Sequence, residues 1–124
     1  MPGTILIVDD SPTIRGFARL FLKPLEVDVL EAEEGMQALE MVRQSPPDVI
    51  VVDINMPGMD GLAFTRELRS DARAEIARLP IVLVTGDRSE EARQRGRDAG
   101  ASDFLEKPIK GPQLQAVVKR FLPP

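Results

Sequence analysis

Apolar and polar positions along the chain alternate five times between a strand-like and a helix-like pattern. Ile5-Leu6-Ile7-Val8 is an unbroken apolar run, as expected of a strand buried on both faces. Ser11-Pro12 then opens a helix, with serine as N-cap and proline at the first helical position. Ile14, Phe17, Ala18, Phe21 and Leu22 recur at helical spacing, and Pro24 stops the run. Val27 to Ala32 predicts a second, more mixed strand. Gly35 to Gln44 predicts a helix that turns Ala38, Leu39 and Val42 inward. Beyond the break at Ser45-Pro46-Pro47, Asp48 to Asp53 predicts a third strand whose core is all Val and Ile. The turn from Met56 to Gly61 leads into a helix with Phe64 and Leu68 on one face. Pro80 precedes a fourth strand, Ile81 to Thr85. Ser89 to Ala99 predicts a polar fourth helix that stops at Gly100. Asp103 to Glu106 is a short fifth strand. Pro112 begins the final helix, with Leu114, Val117, Val118, Phe121 and Leu122 at helical spacing.

Strands alternating with helices at this spacing imply an α/β fold with a parallel sheet, right-handed crossovers and helices on both faces. For five strands the common doubly wound order is 2-1-3-4-5, so the chain is expected to be a flavodoxin-like, doubly wound sheet with five helices. No repeat, low-complexity tract or linker divides the sequence, which is read as one domain over residues 1–124. Ligands of such sheets bind at the carboxyl ends of the strands, beside the switch point between the first and third.

Composition narrows the chemistry. With no cysteine, disulfides, thiolate nucleophiles and zinc–sulfur sites are excluded; with no histidine, so is the commonest general base. The formal net charge is −4, a poor basis for binding nucleic acid, which needs clustered Lys and Arg. Arg88, Arg93, Arg95 and Arg97 do cluster, but interleaved acids mark them as a solvated helix face. No apolar run approaches the roughly 20 residues that cross a bilayer. Met1-Pro2-Gly3-Thr4 leads straight into a strand without a leader-like segment, so the cytoplasm is the expected address.

The first strand ends in Asp9-Asp10, the third in Asp53, the fourth in Thr85, and the fifth runs into Lys107. All fall at one edge of the predicted sheet; the second strand contributes nothing obvious. Each pair of carboxylates about 4 Å apart would cost on the order of 4 kcal/mol at an effective dielectric of 20. Three such pairs would cost roughly 12 kcal/mol, comparable to the stability of a whole domain. The three acids must therefore stand farther apart, be protonated, or be neutralised by a cation. Oxygen ligands without His or Cys favour Mg²⁺, Mn²⁺ or Ca²⁺, and few ligands in an open pocket favour Mg²⁺. With Lys107 and the Thr85 hydroxyl opposite, the set suits phosphoryl transfer, in which positioning and charge neutralisation do the work.

Asp9-Asp10, Asp53 in Val-Val-Asp-Ile-Asn-Met-Pro-Gly-Met-Asp-Gly, Thr85, and Phe104-Leu105-Glu106-Lys107-Pro108 together resemble the signature of response regulator receiver domains of two-component systems, the single-domain, chemotaxis-regulator-like kind. The likeness covers essentially the whole chain, and the 2-1-3-4-5 order is the family's own, so that topology is not independent of it. The resemblance implies that Asp53 accepts a phosphoryl group from a sensor histidine kinase or histidine phosphotransfer protein. It implies Mg²⁺ held by Asp10, Asp53 and the Asn55 backbone carbonyl, with Asp9 acting through water. Thr85 and Lys107 would hold the phosphoryl oxygens, and Thr85 and Phe104 would form the switch. Asn55 and Asp87 occupy the positions that tune hydrolysis in the family, and the Lys107-Pro108 bond is expected to be cis. A downstream protein, or a second copy in a phosphorylation-dependent homodimer, would read the face made by Ser89 to Ala99, the fifth strand and the final helix. The chain would otherwise be a monomer, with no direct contact to nucleic acid or membrane.

One rival is a Mg²⁺-dependent phosphatase or phosphotransferase built on an Asp nucleophile. Such enzymes place a second Asp two residues on as general acid, where this chain has Asn55, and 124 residues leave no room for a substrate cap. A degenerate receiver serving as a scaffold is disfavoured by the intact signature. The turn Met56-Pro57-Gly58-Met59 is read as a device that aims the Asn55 carbonyl, since Pro presets one dihedral and Gly permits positive φ. No Gly-rich phosphate loop is present, so ATP is not the expected substrate.

Overall fold

The computed structural model describes residues 3–124. Met1 and Pro2, on which the reading of a leaderless start partly rests, lie outside the described residues. Five parallel strands alternate with helices: β1 Thr4–Val8, α1 Pro12–Leu22, β2 Asp28–Ala32, α2 Gly35–Gln44, β3 Val49–Asp53, α3 Gly61–Arg69, α4 Ala74–Ala77, β4 Ile81–Thr85, α5 Glu90–Ala99, β5 Asp103–Glu106 and α6 Gly111–Lys119. The sheet order is β2-β1-β3-β4-β5, as the sequence pattern predicts.

Period-two alternation along each strand feeds two cores. Leu6, Val8, Ile50, Val52, Ile81 and Leu83 face one side, against Leu39, Val42, Phe64, Leu68 and Ile76 from the helices. Ile5, Ile7, Val49, Val51, Val82 and Val84 face the other, against Ala18, Leu22, Leu114, Val117 and Val118. Burial on both faces explains why β1, β3 and β4 read as apolar runs, while the edge strands β2 and β5 are mixed.

The structure departs from the sequence reading in four places. The described residues form six α-helices rather than five, because Ala74–Ala77 makes a single turn around the buried Ile76. One turn carries no periodicity from which to be read. Proline 24 does not end the helical path at once, since Lys23–Leu25 continues it as a 3₁₀ turn. Phe121 and Leu122 lie beyond α6, in a tight turn whose N–H groups both donate to the Val118 carbonyl. Leu122 precedes Pro123, and the residue before proline is biased away from helical dihedrals. In α1 only Ala18 and Leu22 are buried, while Phe17 is 51% and Ile14 37% exposed. No helix among the described residues is long and apolar enough to cross a membrane.

Candidate functional site

Strand register builds the site. Val8 pairs with Val52, Asp53 with Val84, and Thr85 with Glu106. Asp9 follows Val8 and so stands level with Asp53 on the neighbouring strand. Thr85 is one step farther along β4, and Lys107 one step beyond β5. The Lys107 N–H continues the ladder by donating to the Thr85 carbonyl at 2.9 Å. Across the strand ends the order is therefore acid, acid, hydroxyl, lysine.

Asp53 is 5% exposed, too buried to be left without a partner. Its Oδ1 receives the Lys107 ammonium at 2.8 Å and the Asn55 N–H at 3.1 Å. Since β5 lies two strands from β3, roughly 10 Å away, the lysine side chain must reach back over β4 to make this contact. The other oxygen, Oδ2, carries neither donor. Asp9 is also 5% exposed, while Asp10 is exposed. Burial raises the Asp9 carboxyl above its ordinary value; Asp53 and Asp10 add to this, and the Ser11 N–H and Lys107 oppose it. One carboxylate oxygen from each of Asp9, Asp10 and Asp53 lies within 4.8 Å of the others. Three hard oxygens so close, served by one lysine, are a donor set that fits a divalent cation such as Mg²⁺. Together with Asn55, Lys107 and Ile14 they line a cleft of about 550 Å³.

Neighbouring chain is shaped to this edge. A Cβ on Gly61 would stand 2.6 Å from the Asp53 carbonyl oxygen and 2.7 Å from Ile54 Cα, so only glycine lets α3 start this close to the third strand. Gly58 takes φ 73°, as the turn reading expects. Ser11, Asp60 and Ser89 each cap the helix that follows with a side-chain oxygen. The Lys107-Pro108 bond is cis.

Two expected residues stand apart from the cleft. The Thr85 hydroxyl is turned to the next loop, where it accepts the Asp87 N–H at 3.0 Å. Phe104 lies under the Arg93 guanidinium, 5.2 Å from its ring centroid, beside a second cavity that Lys107 also lines. The four arginines of the polar helix region are each paired with an acid: Arg88 and Arg93 with Glu106, Arg95 with Asp87, Arg97 with Glu90. Sequence reasoning missed Arg15 and Glu31, which meet behind Asp9. Neither differs in sequence from an ordinary exposed charge on a helix or an edge strand.

The family model of the response regulator receiver domain matches residues 5–119. This chain is a response regulator receiver domain. Protein PilH of Pseudomonas aeruginosa is 38% identical over 118 residues, covering 95% of this chain and 96% of PilH. The sensor histidine kinase CheAY of Helicobacter pylori is 41% identical over 120 residues, but the chain spans only 15% of that protein. It spans about half, 51%, of the response regulator MprA of Mycobacterium, at 38% identity over 98% of this chain. Among solved structures, the chemotaxis protein CheY4 of Vibrio cholerae superposes with a TM-score of 0.90 at 32% identity, covering 98% of this chain and all of the other. The receiver domain of the sensor histidine kinase PA1611 of P. aeruginosa, described with a magnesium ion coordinated in its active site cleft, gives 0.86 at 30% identity over 98% of each chain. A receiver with an acidic cluster able to hold a metal belongs to two-component signalling.

Proposed function

We propose that this receiver, taken as one domain over residues 1–124, takes a phosphoryl group onto Asp53 in a Mg²⁺-assisted reaction and passes the state to a partner. The observation that carries this reading is the buried Asp53 carboxylate, held by Lys107 at 2.8 Å within the group of three acids. An Asp53 oxygen attacks the phosphorus of a phosphohistidine on a sensor kinase or phosphotransfer protein. The new P–O bond forms as the P–N bond breaks, and its electron pair leaves on the imidazole nitrogen. Asp10, Asp53 and the Asn55 carbonyl would hold the cation directly, with Asp9 acting through water. When bound, Mg²⁺ offsets the charge of the phosphoryl oxygens. Lys107 neutralises the same charge from the other side, and the Thr85 hydroxyl donates to a phosphoryl oxygen once it turns from the Asp87 carbonyl. Phe104 follows Thr85, and α5, β5 and the start of α6 form the face that a downstream protein or a second copy reads. The chain acts as a signalling module rather than a free enzyme, in the cytoplasm with its kinase, as a monomer or phosphorylation-dependent homodimer.

Acetyl phosphate with Mg²⁺ tests the reading. Intact mass is expected to show one added phosphate, acetate leaving as the P–O bond breaks. Asp53→Asn is expected to abolish the label and Asp10→Ala to reduce it strongly. Equal labelling of Asp53→Asn overturns the assignment.

A further inference from the structure

We propose that Arg15 is a positioning residue for the acidic cleft, fixing the peptide unit between Asp9 and Asp10 and giving the second strand a part in the site through Glu31. This rests on the reading of the cleft as a cation-assisted phosphoryl acceptor. Arg15 Nη1 donates to the Asp9 carbonyl at 2.7 Å, and its Nε donates to Glu31 Oε1 at 3.0 Å. Its side chain is 15% exposed, so most of this arginine is packed away from water. The other Glu31 oxygen pairs with Arg19, which orients the carboxylate that orients Arg15.

The Asp9 carbonyl belongs to the same planar unit as the Asp10 nitrogen. Holding that plane sets the direction in which the Asp10 side chain leaves the loop. The other bonds to Asp9 do not do this. Its N–H donates to the Ala32 carbonyl at 3.1 Å, and its Oδ1 accepts the Ser11 N–H at 2.9 Å. These secure the nitrogen and the side chain but leave the carbonyl to Arg15. Asp10 is exposed, so its aim depends on the loop backbone. Two acceptors in different directions call for the guanidinium fork, which an ammonium group cannot reproduce.

The test uses the whole chain carrying Arg15→Ala, Arg15→Lys or Glu31→Gln. Mg²⁺ alone is titrated by NMR, without phosphodonor, and exchange of the Asp10 amide is measured in metal-free protein. Loss of an outer partner of a metal ligand typically costs 10–100-fold in affinity, so about tenfold weaker Mg²⁺ binding is expected for Arg15→Ala. Arg15→Lys should recover part of the affinity, Glu31→Gln should lose a few-fold, and Asp10 exchange should quicken in all three. With saturating Mg²⁺, the maximal rate of labelling by acetyl phosphate should return towards that of the parent, because the nucleophile is untouched. Unchanged Mg²⁺ affinity and Asp10 exchange in these variants, with Asp10→Ala still losing Mg²⁺, overturn the role of Arg15. Labelling of Asp53→Asn overturns instead the reading beneath it. Should Arg15→Ala fail to fold, Arg15→Lys and Glu31→Gln carry the same comparison.

Discussion

Asp87 shapes the entrance to α5 and stands two residues beyond Thr85. Its Oδ1 accepts the Ser89 N–H at 2.9 Å at the entrance to α5. Hydrogen bonds from the Ser89 N–H and then its hydroxyl, with the nearby Arg95, hold its carboxyl below the ordinary value, so it is charged throughout the neutral range. It is exposed two residues beyond Thr85, where a fixed carboxylate is able to orient a water for in-line attack on an acyl phosphate. Asp87→Ala is therefore expected to slow loss of the phosphoryl group. Asp87→Asn keeps an oxygen for the Ser89 N–H but loses the charge. It should slow the loss similarly while leaving the thermal midpoint nearer that of the parent. Decay of the phosphorylated mass after removal of acetyl phosphate measures the first effect, and thermal unfolding the second. Decay as fast as the parent's in both variants would rule out the water-orienting role. The position of Asp87 was visible in the sequence, and its hydrogen bond to Ser89 is the local turn that an Asp makes two residues on.

Of the five longer helices, α5 buries the smallest side chains. It buries only Ala92, Gly96 and Ala99, and alanine and glycine remove little apolar area from water. Its far end is anchored from outside: the Arg69 guanidinium donates to the carbonyls of Gly100, Ala77 and Leu79. Its near end follows the Thr85 loop. Hydrogen exchange is therefore expected to be faster in α5 than in the other long helices. Phosphorylation is expected to change exchange mainly in α5, β5 and the start of α6. Changes confined to α1 and α2 would place the output elsewhere. Gly96 couples α5 to Phe104, because a Cβ there would press into the aromatic ring. Gly96→Ala gains about 1 kcal/mol of helix propensity, but overpacking costs roughly 1–3 kcal/mol. A net loss of about 1 kcal/mol in urea unfolding is expected, recovered when Phe104→Leu is added. No recovery in the double variant would show that the ring is not what Gly96 accommodates.

At the scale of the whole molecule, Asp71 joins segments that lie far apart in the chain. Asp71 accepts the Arg73 N–H and pairs with the Arg43 side chain of α2, tying two helices on one face of the sheet. The Arg73 backbone hydrogen bond and then the Arg43 side chain hold its carboxyl below the ordinary value of 3.8. A carboxyl depressed on folding contributes stability that is present above its unfolded value and lost as pH falls through the folded one. Asp71→Asn should therefore lower the unfolding midpoint at neutral pH and flatten its decline below about pH 4. An unchanged pH profile would mean that the pairing does not persist in solution.

Much of this architecture was legible in the chain, for a physical reason. Strands buried on both faces must be apolar throughout, and amphipathic helices must repeat every three to four residues, so elements and their order follow from local pattern. Acids, hydroxyl and lysine at the strand ends were likewise readable, because a parallel sheet places all those ends at one edge. Tertiary structure decided what depends on distance across the fold. It set the one-step register that puts Asp9 level with Asp53, and brought Lys107 back over β4 to within 2.8 Å of Asp53. It also turned the Thr85 hydroxyl away from the cleft and left Phe17 exposed where helical spacing alone could not choose a face. Above all, it joined Arg15 to Glu31 behind Asp9. A charged side chain looks the same in sequence whether it meets water or a carbonyl, and only packing determines which.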